Sequence, residues 1–417
     1  MKNVRIILAL LLAVAVSALV LTAHGTSNAE PDYDQANGYI DIEPIIGDYD
    51  YDDIGIEPIS AELPELFSND GAPFQIGIIQ IREHPALDQA NRGFLSQLSE
   101  EIYFDYDLQV AQGDNSVLAT IAQQFVNNNK DLILANATPS VQAIANETDT
   151  IPIVGVSITS YVRAGVVESN EAPGRNVTGA SDMNPIQAQL RMMLEFLPDI
   201  ETIGIIFSSN EENAVYQAEI ASDYIENELG LAVDEATVTT TGDIDQVARA
   251  LAGRVDVIYI PTDNTMAEAM PLVANISIAS GTPVFPGETQ MALAGGVATL
   301  SVDYYELGRQ AGRMAIEILR DGGNPATMPI QFAEGYEYIV NGFMAEQLGV
   351  EVPARFLNYV VNPHEDATDD EEGTTAPALT EDGDEGGFQL WHGLVIAGVA
   401  LIIIIIIAVV AKKRKSA

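Results

Sequence analysis

Short apolar runs alternate with amphipathic stretches along this chain from residue 74 to residue 340. The clearest run is Val-Asp-Val-Ile-Tyr-Ile at 255–260, which stops at Pro261 and turns polar at Thr262, Asp263, Asn264 and Thr265. A near-continuous apolar segment of this length is what a parallel strand covered on both faces requires. Similar runs predict strands at 74–81, 104–111, 132–135, 153–156, 176–181, 202–207, 232–238, 283–285, 297–302 and 336–340. Helical spacing predicts helices at 88–98, 116–126, 140–145, 186–197, 213–228, 244–251, 266–278, 290–294 and 305–319, with Ser116 placed to cap the second.

Strand–helix alternation over this length implies parallel sheets with helices on both faces. The cycle restarts after the turn-prone Asp182-Met183-Asn184-Pro185, so the expected fold class is α/β with two similar doubly wound parallel-sheet lobes.

The two ends break the pattern. Residues 1–29 read as an export signal or an uncleaved signal anchor: Lys2 and Arg5, an apolar 6–23, then Ser-Asn-Ala at 27–29. Residues 390–411 are long and apolar enough to span a bilayer, with Trp391 at the outer interface. Lys412, Lys413, Arg414 and Lys415 follow in a short 412–417 tail, which places that end in the cytoplasm and the body outside. Residues 30–73 and 359–389 are acidic linkers; between Glu365 and Glu385 there are ten carboxylates and no base. The Asp48-Tyr49-Asp50-Tyr51-Asp52-Asp53 stretch invites a calcium loop, but Asp53 and Ile59 stand where an EF-hand needs Gly and Glu.

Composition narrows the function. The 61 acids against 18 bases give a net charge of -43, which argues against nucleic acid as a partner. Acid-rich, lysine-poor surfaces fit a salty habitat or a soluble exported domain. The chain has no cysteine, so an exported body must be held by its core and cannot be tethered through a lipid-modified thiol. Of four histidines only His84 lies in the body; there is no Gly-x-Ser-x-Gly elbow, no phosphate-binding Gly-x-x-x-x-Gly-Lys and no histidine metal set. No enzyme, metal or cofactor is expected.

The strand ends carry the remaining chemistry. They run into Arg82-Glu83-His84, Thr138-Pro139, Ser157–Ser160, Ser181-Asp182, Ser208–Asn210, Asp263-Asn264-Thr265, Gly287–Thr289 and Asp303-Tyr304. Any one of these is best read as a helix cap. Their recurrence at the carboxyl ends of parallel strands is what lining a cleft requires. Asp182, Asp263 and Asp303 suit an ammonium group. The helix starts at 138–140 and 264–265 suit a carboxylate. His84 and Tyr304 suit an apolar or aromatic side chain. The set fits a zwitterionic amino acid.

Six stretches then carry a resemblance: Ile-Gly-Ile-Ile-Gln-Ile-Arg-Glu-His-Pro-Ala-Leu-Asp (76–88), Ala-Gln-Gly-Asp (111–114), Asp-Leu-Ile-Leu-Ala-Asn-Ala-Thr-Pro (131–139), Asn-Val-Thr-Gly-Ala-Ser-Asp-Met (176–183), Ile-Tyr-Ile-Pro-Thr-Asp-Asn-Thr (258–265) and Asp-Tyr-Tyr-Glu-Leu-Gly-Arg-Gln-Ala-Gly (303–312). In this order they resemble the substrate-binding proteins of ABC importers, in the branch associated with tryptophan, tyrosine and phenylalanine. The resemblance covers roughly residues 74–357. It implies a type I periplasmic-binding-protein fold with three hinge crossings, near Ser181, Ser301 and Pro329. Lobe 1 is then 74–180 with 302–329, and lobe 2 is 181–301 with 330–358. It implies ligand contacts at Glu83, His84, Thr138, Pro139, Ser181, Asp182, Asp263, Asn264, Thr265, Asp303 and Tyr304. Its partners would be a small ligand, an aromatic or other amino acid, and a permease with its ATPase. The membrane span at 390–411 departs from the family's usual lipid anchor and leaves a ligand-sensing ectodomain as the alternative.

Overall fold

The structure is a computed structural model that describes residues 72–363. The expected export signal, membrane span and basic tail lie outside the described residues, as does nearly all of both acidic linkers. Among the described residues no helix is long and apolar enough to cross a membrane.

The first lobe is built on β1 (Phe74–Gln80), β2 (Phe104–Val110), β3 (Leu132–Asn136), β4 (Ile153–Val156) and β5 (Val177–Ser181), all parallel, in the order β2-β1-β3-β4-β5. Helices α1 (Pro85–Glu101), α2 (Asn115–Asn127) and α3 (Thr138–Glu147) connect them. β1, β3, β4 and β5 are almost wholly buried, because separate apolar clusters cover the two faces of the sheet. β2 is a half-exposed edge that alternates Asp with aromatic or apolar residues, as one open face demands.

The chain leaves this lobe after Ser181 and enters α4 (Ile186–Phe196). The second lobe repeats the wiring: β6 (Thr202–Ser208), α5 (Glu212–Tyr224), β7 (Ala232–Val238), α6 (Ile244–Ala252), β8 (Val257–Ile260), the short α7 (Asn264–Glu268), α8 (Met270–Ser280) and β9 (Val284–Pro286). Its sheet runs β7-β6-β8-β9, parallel, again between two apolar clusters. α9 (Thr289–Leu293) and β10 (Ala298–Ser301) complete the passage, and Val297 N–H donating to the Val284 carbonyl lays β10 beside β9.

The chain returns to the first lobe as α10 (Tyr304–Asp321), which packs on α1. Two glycines make that packing possible. A Cβ on Gly93 would strike the Tyr305 carbonyl, and one on Gly308 would strike the Ala90 carbonyl. The helices thus meet backbone to backbone at the end where α10 begins. β11 (Gln331–Phe332) then pairs with Ala180 and Ser181 at the edge of the first sheet. Only after it does the chain cross to β12 (Glu337–Asn341), α11 (Gly342–Gln347) and β13 (Val360–Val361) in the second lobe. The third passage therefore lies at 333–336, a few residues beyond the Pro329 expected from sequence. A two-residue edge strand is too short to announce itself by periodicity.

Candidate functional site

In a sheet ordered β2-β1-β3, the connections leave in opposite directions at β1 and β3 and open a crevice at their carboxyl ends. Both lobes have this switch point, and the two face each other. From the first lobe come Arg82 and His84 after β1, and Ala137, Thr138 and Pro139 after β3. From the second come Glu211 after β6 and the 262–265 turn after β8.

A buried amide network fixes the first-lobe rim. Asn136 Nδ2 donates to the Leu87 carbonyl and to Asn91 Oδ1 (2.8 and 2.9 Å), and Gln80 Nε2 donates to the Arg82 carbonyl and to Asp88 (2.8 and 2.9 Å). Ala137 and Ser157, just past β3 and β4, hold positive φ of 77° and 58° without being glycine, a strain that clusters where backbone is shaped for a ligand. Along the same rim His84 Nδ1, Thr138 Oγ1, Ser140 Oγ and Ser157 Oγ are buried and take no hydrogen bond. Four such atoms at one end of one sheet are unusual in a native interior.

The second-lobe carboxylates are satisfied from within, while Ser208 Oγ and Asn213 Oδ1 are buried without a partner. Asp263 Oδ1 accepts from the N–H groups of Thr265 and Met266 (2.9 and 3.0 Å), and its Oδ2 accepts from Ser208 N–H (2.5 Å). Burial and the nearby Glu211 carboxylate push Asp263 up to about 8, against those three donors. Glu211 accepts from the N–H groups of Asn264 and Thr265 (3.1 and 2.9 Å) and from the Thr265 hydroxyl (2.8 Å). Glu288 caps α9 through Gln290 and Met291 N–H (both 2.7 Å), and burial raises it to about 7.

Asp182 sits at the first crossing, 2% exposed. Thr159 Oγ1 donates to its Oδ1 (3.1 Å) and Tyr304 Oη to its Oδ2 (3.0 Å). Its partners are neutral hydroxyls, and burial raises the carboxyl to about 6 despite them. Tyr304 reaches it because the α1–α10 seam fixes the first residue of α10.

The lobes touch across the cleft. His84 Nε2 lies 3.0 Å from Asn264 Oδ1, and Gln217 Nε2 donates to Thr159 Oγ1 (3.3 Å). Arg82 is paired with Glu268. Nearer the outside, Arg163 bridges to Glu212 and Glu219 (2.8 and 3.1 Å). Two cavities flank this seam. One of about 250 Å³ is lined by Arg82 and Pro139 opposite Glu211, Thr240 and Thr265; one of about 430 Å³ lies beside Arg92, Gln290, Asp303 and Tyr305.

The structure thus brings together His84, Thr138, Pro139, Ser181, Asp182, Asn264, Thr265 and Tyr304 at the cleft. Three expected residues are engaged as caps or at the surface. Asp263 points into its own lobe as a cap. Asp303 is exposed and caps α10 through Tyr305 and Glu306 N–H (2.8 and 3.1 Å). Glu83 is exposed and accepts from Gln112 (3.3 Å). Glu211 and Gln217 are not legible in the sequence, since one precedes and the other lies within the predicted helix 213–228 with nothing local to single it out. Arg82, Thr159 and Glu288 stood at strand ends but were not singled out.

Two doubly wound lobes, three connecting passages and a polar cleft between opposed switch points define a solute-binding protein. The family model described as ABC transporter substrate binding protein matches residues 75–362, and the chain belongs to that family, which binds substrates rather than converting them. It is 36% identical over 271 residues to a tyrosine-binding protein of Clostridioides difficile, covering 64% of this chain and 78% of that one. Among solved structures it resembles an ABC domain from Streptococcus pneumoniae in complex with L-Trp (33% identity, 70% of this chain, 100% of that chain, TM-score 0.67). It also resembles a ligand-free, open substrate-binding protein with adhesive properties from Clostridium difficile (35%, 69%, 99%, TM-score 0.55).

Proposed function

We propose that this protein is the extracytoplasmic substrate-binding component of an ABC importer and holds an aromatic amino acid between its lobes. The observation that carries the reading is Asp182: a carboxylate buried at the cleft, held by two neutral hydroxyls, with Glu288 adding a second acid nearby. A buried carboxylate without a cation is costly, and a ligand ammonium would offset that cost. The unpartnered Thr138 and Ser140 hydroxyls at the start of α3 suit the ligand carboxylate, where the helix N-terminus adds partial positive charge. The named ligands of the two relatives, tyrosine and L-Trp, supply the aromatic class. Ser181, Pro139, Thr265 and Tyr304 line the same cleft in this reading. The apolar 390–411 segment anchors the protein, with the binding body outside and a permease as its partner.

Titration calorimetry with L-tyrosine, L-tryptophan, L-phenylalanine and L-leucine tests the proposal. Binding of at least one aromatic amino acid is expected. Asp182→Asn should weaken it on the order of a hundredfold, as loss of a buried charge partner does. Heat from none of the four would overturn the reading, and wild-type affinity in Asp182→Asn would remove the ammonium site.

A further inference from the structure

His84 is fixed in one tautomer by its contact with the second lobe. Both Glu211 oxygens accept from backbone N–H groups, of Asn264 and Thr265. Asn264 Nδ2 also points at Glu211 Oε2, and a carboxylate oxygen engaged in this way can only accept. The Asn264 amide is therefore oriented by its network, with Oδ1 towards His84. An amide oxygen has no hydrogen to give, so His84 Nε2 carries the proton of the 3.0 Å bond. Burial disfavours the imidazolium and lowers the pKa of His84, against the bond it donates to Asn264. In the neutral ring Nδ1 is then a bare lone pair, and this nitrogen is buried without a partner.

From this geometry we infer that His84 Nδ1 reads a neutral hydrogen-bond donor on the ligand side chain, a phenol O–H or an indole N–H, and that reading it helps close the lobes. The inference rests on the proposed aromatic amino-acid ligand and goes further by separating tyrosine and tryptophan from phenylalanine. Position on the sheet assigns the donor. Asp182 follows β5 and His84 follows β1, with β3 and β4 between them, so the two strand ends are about 14 Å apart at ordinary strand spacing. The ammonium belongs with the acids at the β5 end; a neutral acceptor at the β1 end faces the other extremity of an extended ligand. A donor at Nδ1 favours the Nε2–H tautomer, and only that tautomer makes the bond to Asn264 of the opposite lobe. Recognition and closure are coupled through one ring. Protonation would turn Nδ1 into a donor and abolish the reading. The charged groups facing the ring are Asp88 and Arg82 of its own lobe and Glu211 of the other.

Two substitutions separate the ring nitrogens. In His84→Gln the side-chain amide can keep the donor to Asn264 and has no acceptor at the Nδ1 position. In His84→Asn the reverse holds. With the full-length chain in detergent, calorimetry on L-tyrosine, L-phenylalanine and O-methyl-L-tyrosine should show wild type preferring L-tyrosine to both others by tenfold or more, about the effect of leaving one buried polar group unpaired. His84→Gln should lower L-tyrosine to the L-phenylalanine level and so abolish the preference, with L-tyrosine losing more than L-phenylalanine. His84→Asn should weaken all three and keep the preference. Imidazole ¹⁵N shifts should report the Nε2–H tautomer on adding L-tyrosine. Equal wild-type affinities, an unchanged preference in His84→Gln, or an equal loss of L-tyrosine and L-phenylalanine there would overturn the inference while leaving the amino-acid reading intact. Absence of any binding to wild type would instead overturn that reading, and this one with it.

Discussion

The two lobes share one wiring but present opposite rims. The first lobe offers unpartnered neutral atoms: His84 Nδ1, Thr138 Oγ1, Ser140 Oγ and Ser157 Oγ. In the second, Glu211, Asp263 and Glu288 are all engaged by backbone N–H groups of the turns they shape. The second rim keeps Ser208 Oγ and Asn213 Oδ1 unpartnered, but its carboxylates are all engaged. Under the proposed function the first lobe would receive the ligand, and the second would close over it with Asn264 and Thr265, whose turn is held by Glu211 and Asp263. Preorganised groups lose little freedom on binding, which is where affinity comes from.

The largest way to break the contrast is to move the first-lobe rim as a body. Gly308→Val places a side chain against the Ala90 carbonyl and should cost about 3 kcal/mol in denaturant unfolding, with Tyr304 displaced and ligand affinity lost as well. A next step compares single polar groups. Asp263→Ala removes the cap of α7 and the partner of Ser208, so the ligand-free protein should lose about 1–2 kcal/mol while ligand affinity changes little. Thr138→Val should do the reverse: an unpartnered hydroxyl leaves, ligand-free stability holds or rises, and affinity falls. If both variants lost affinity equally, the division of roles would fail.

Acid pH sharpens the comparison. Asp182, Glu288 and Asp263 are raised to about 6, 7 and 8 in the fold, above the ordinary carboxyl range. Between the unfolded and folded values the native state binds more protons, so stability is greatest at low pH within this window and is lost as pH rises through about 6 to 8. Thermal midpoints of the ligand-free protein should fall from pH 5 to pH 8. Ligand affinity should rise between pH 5 and 7, because an ammonium needs Asp182 ionised. The smallest effect is expected at the outer bridge. Arg163 is half-exposed, so Arg163→Ala should change affinity by less than about threefold, and the change should vanish in high salt.

Much of this architecture is legible in the chain. Strand positions in both lobes follow from apolar runs, since a strand buried on both faces permits little else. The cleft was legible as a recurrence of hydroxyls and carboxylates after those runs, and Asp182, His84, Thr138 and Asn264 stand out in that way. β11 and the passage at 333–336 did not, because two residues carry no period. Nor did the partners of a carboxylate: Asp182 and Asp263 follow their strands in the same manner, yet one is held by the hydroxyls of Thr159 and Tyr304 and the other by backbone N–H groups of its own lobe.

By itself the sequence determined the α/β class, the doubling and the edge of the sheet to which polar groups go. Periodicity and burial are local properties, and they set these. Tertiary structure decided which polar groups are free to bind. Glu211 meets Asn264 53 positions away, and Asn264 meets His84 180 positions away. Whether a buried atom is satisfied depends on partners that only folding brings within 3 Å or so.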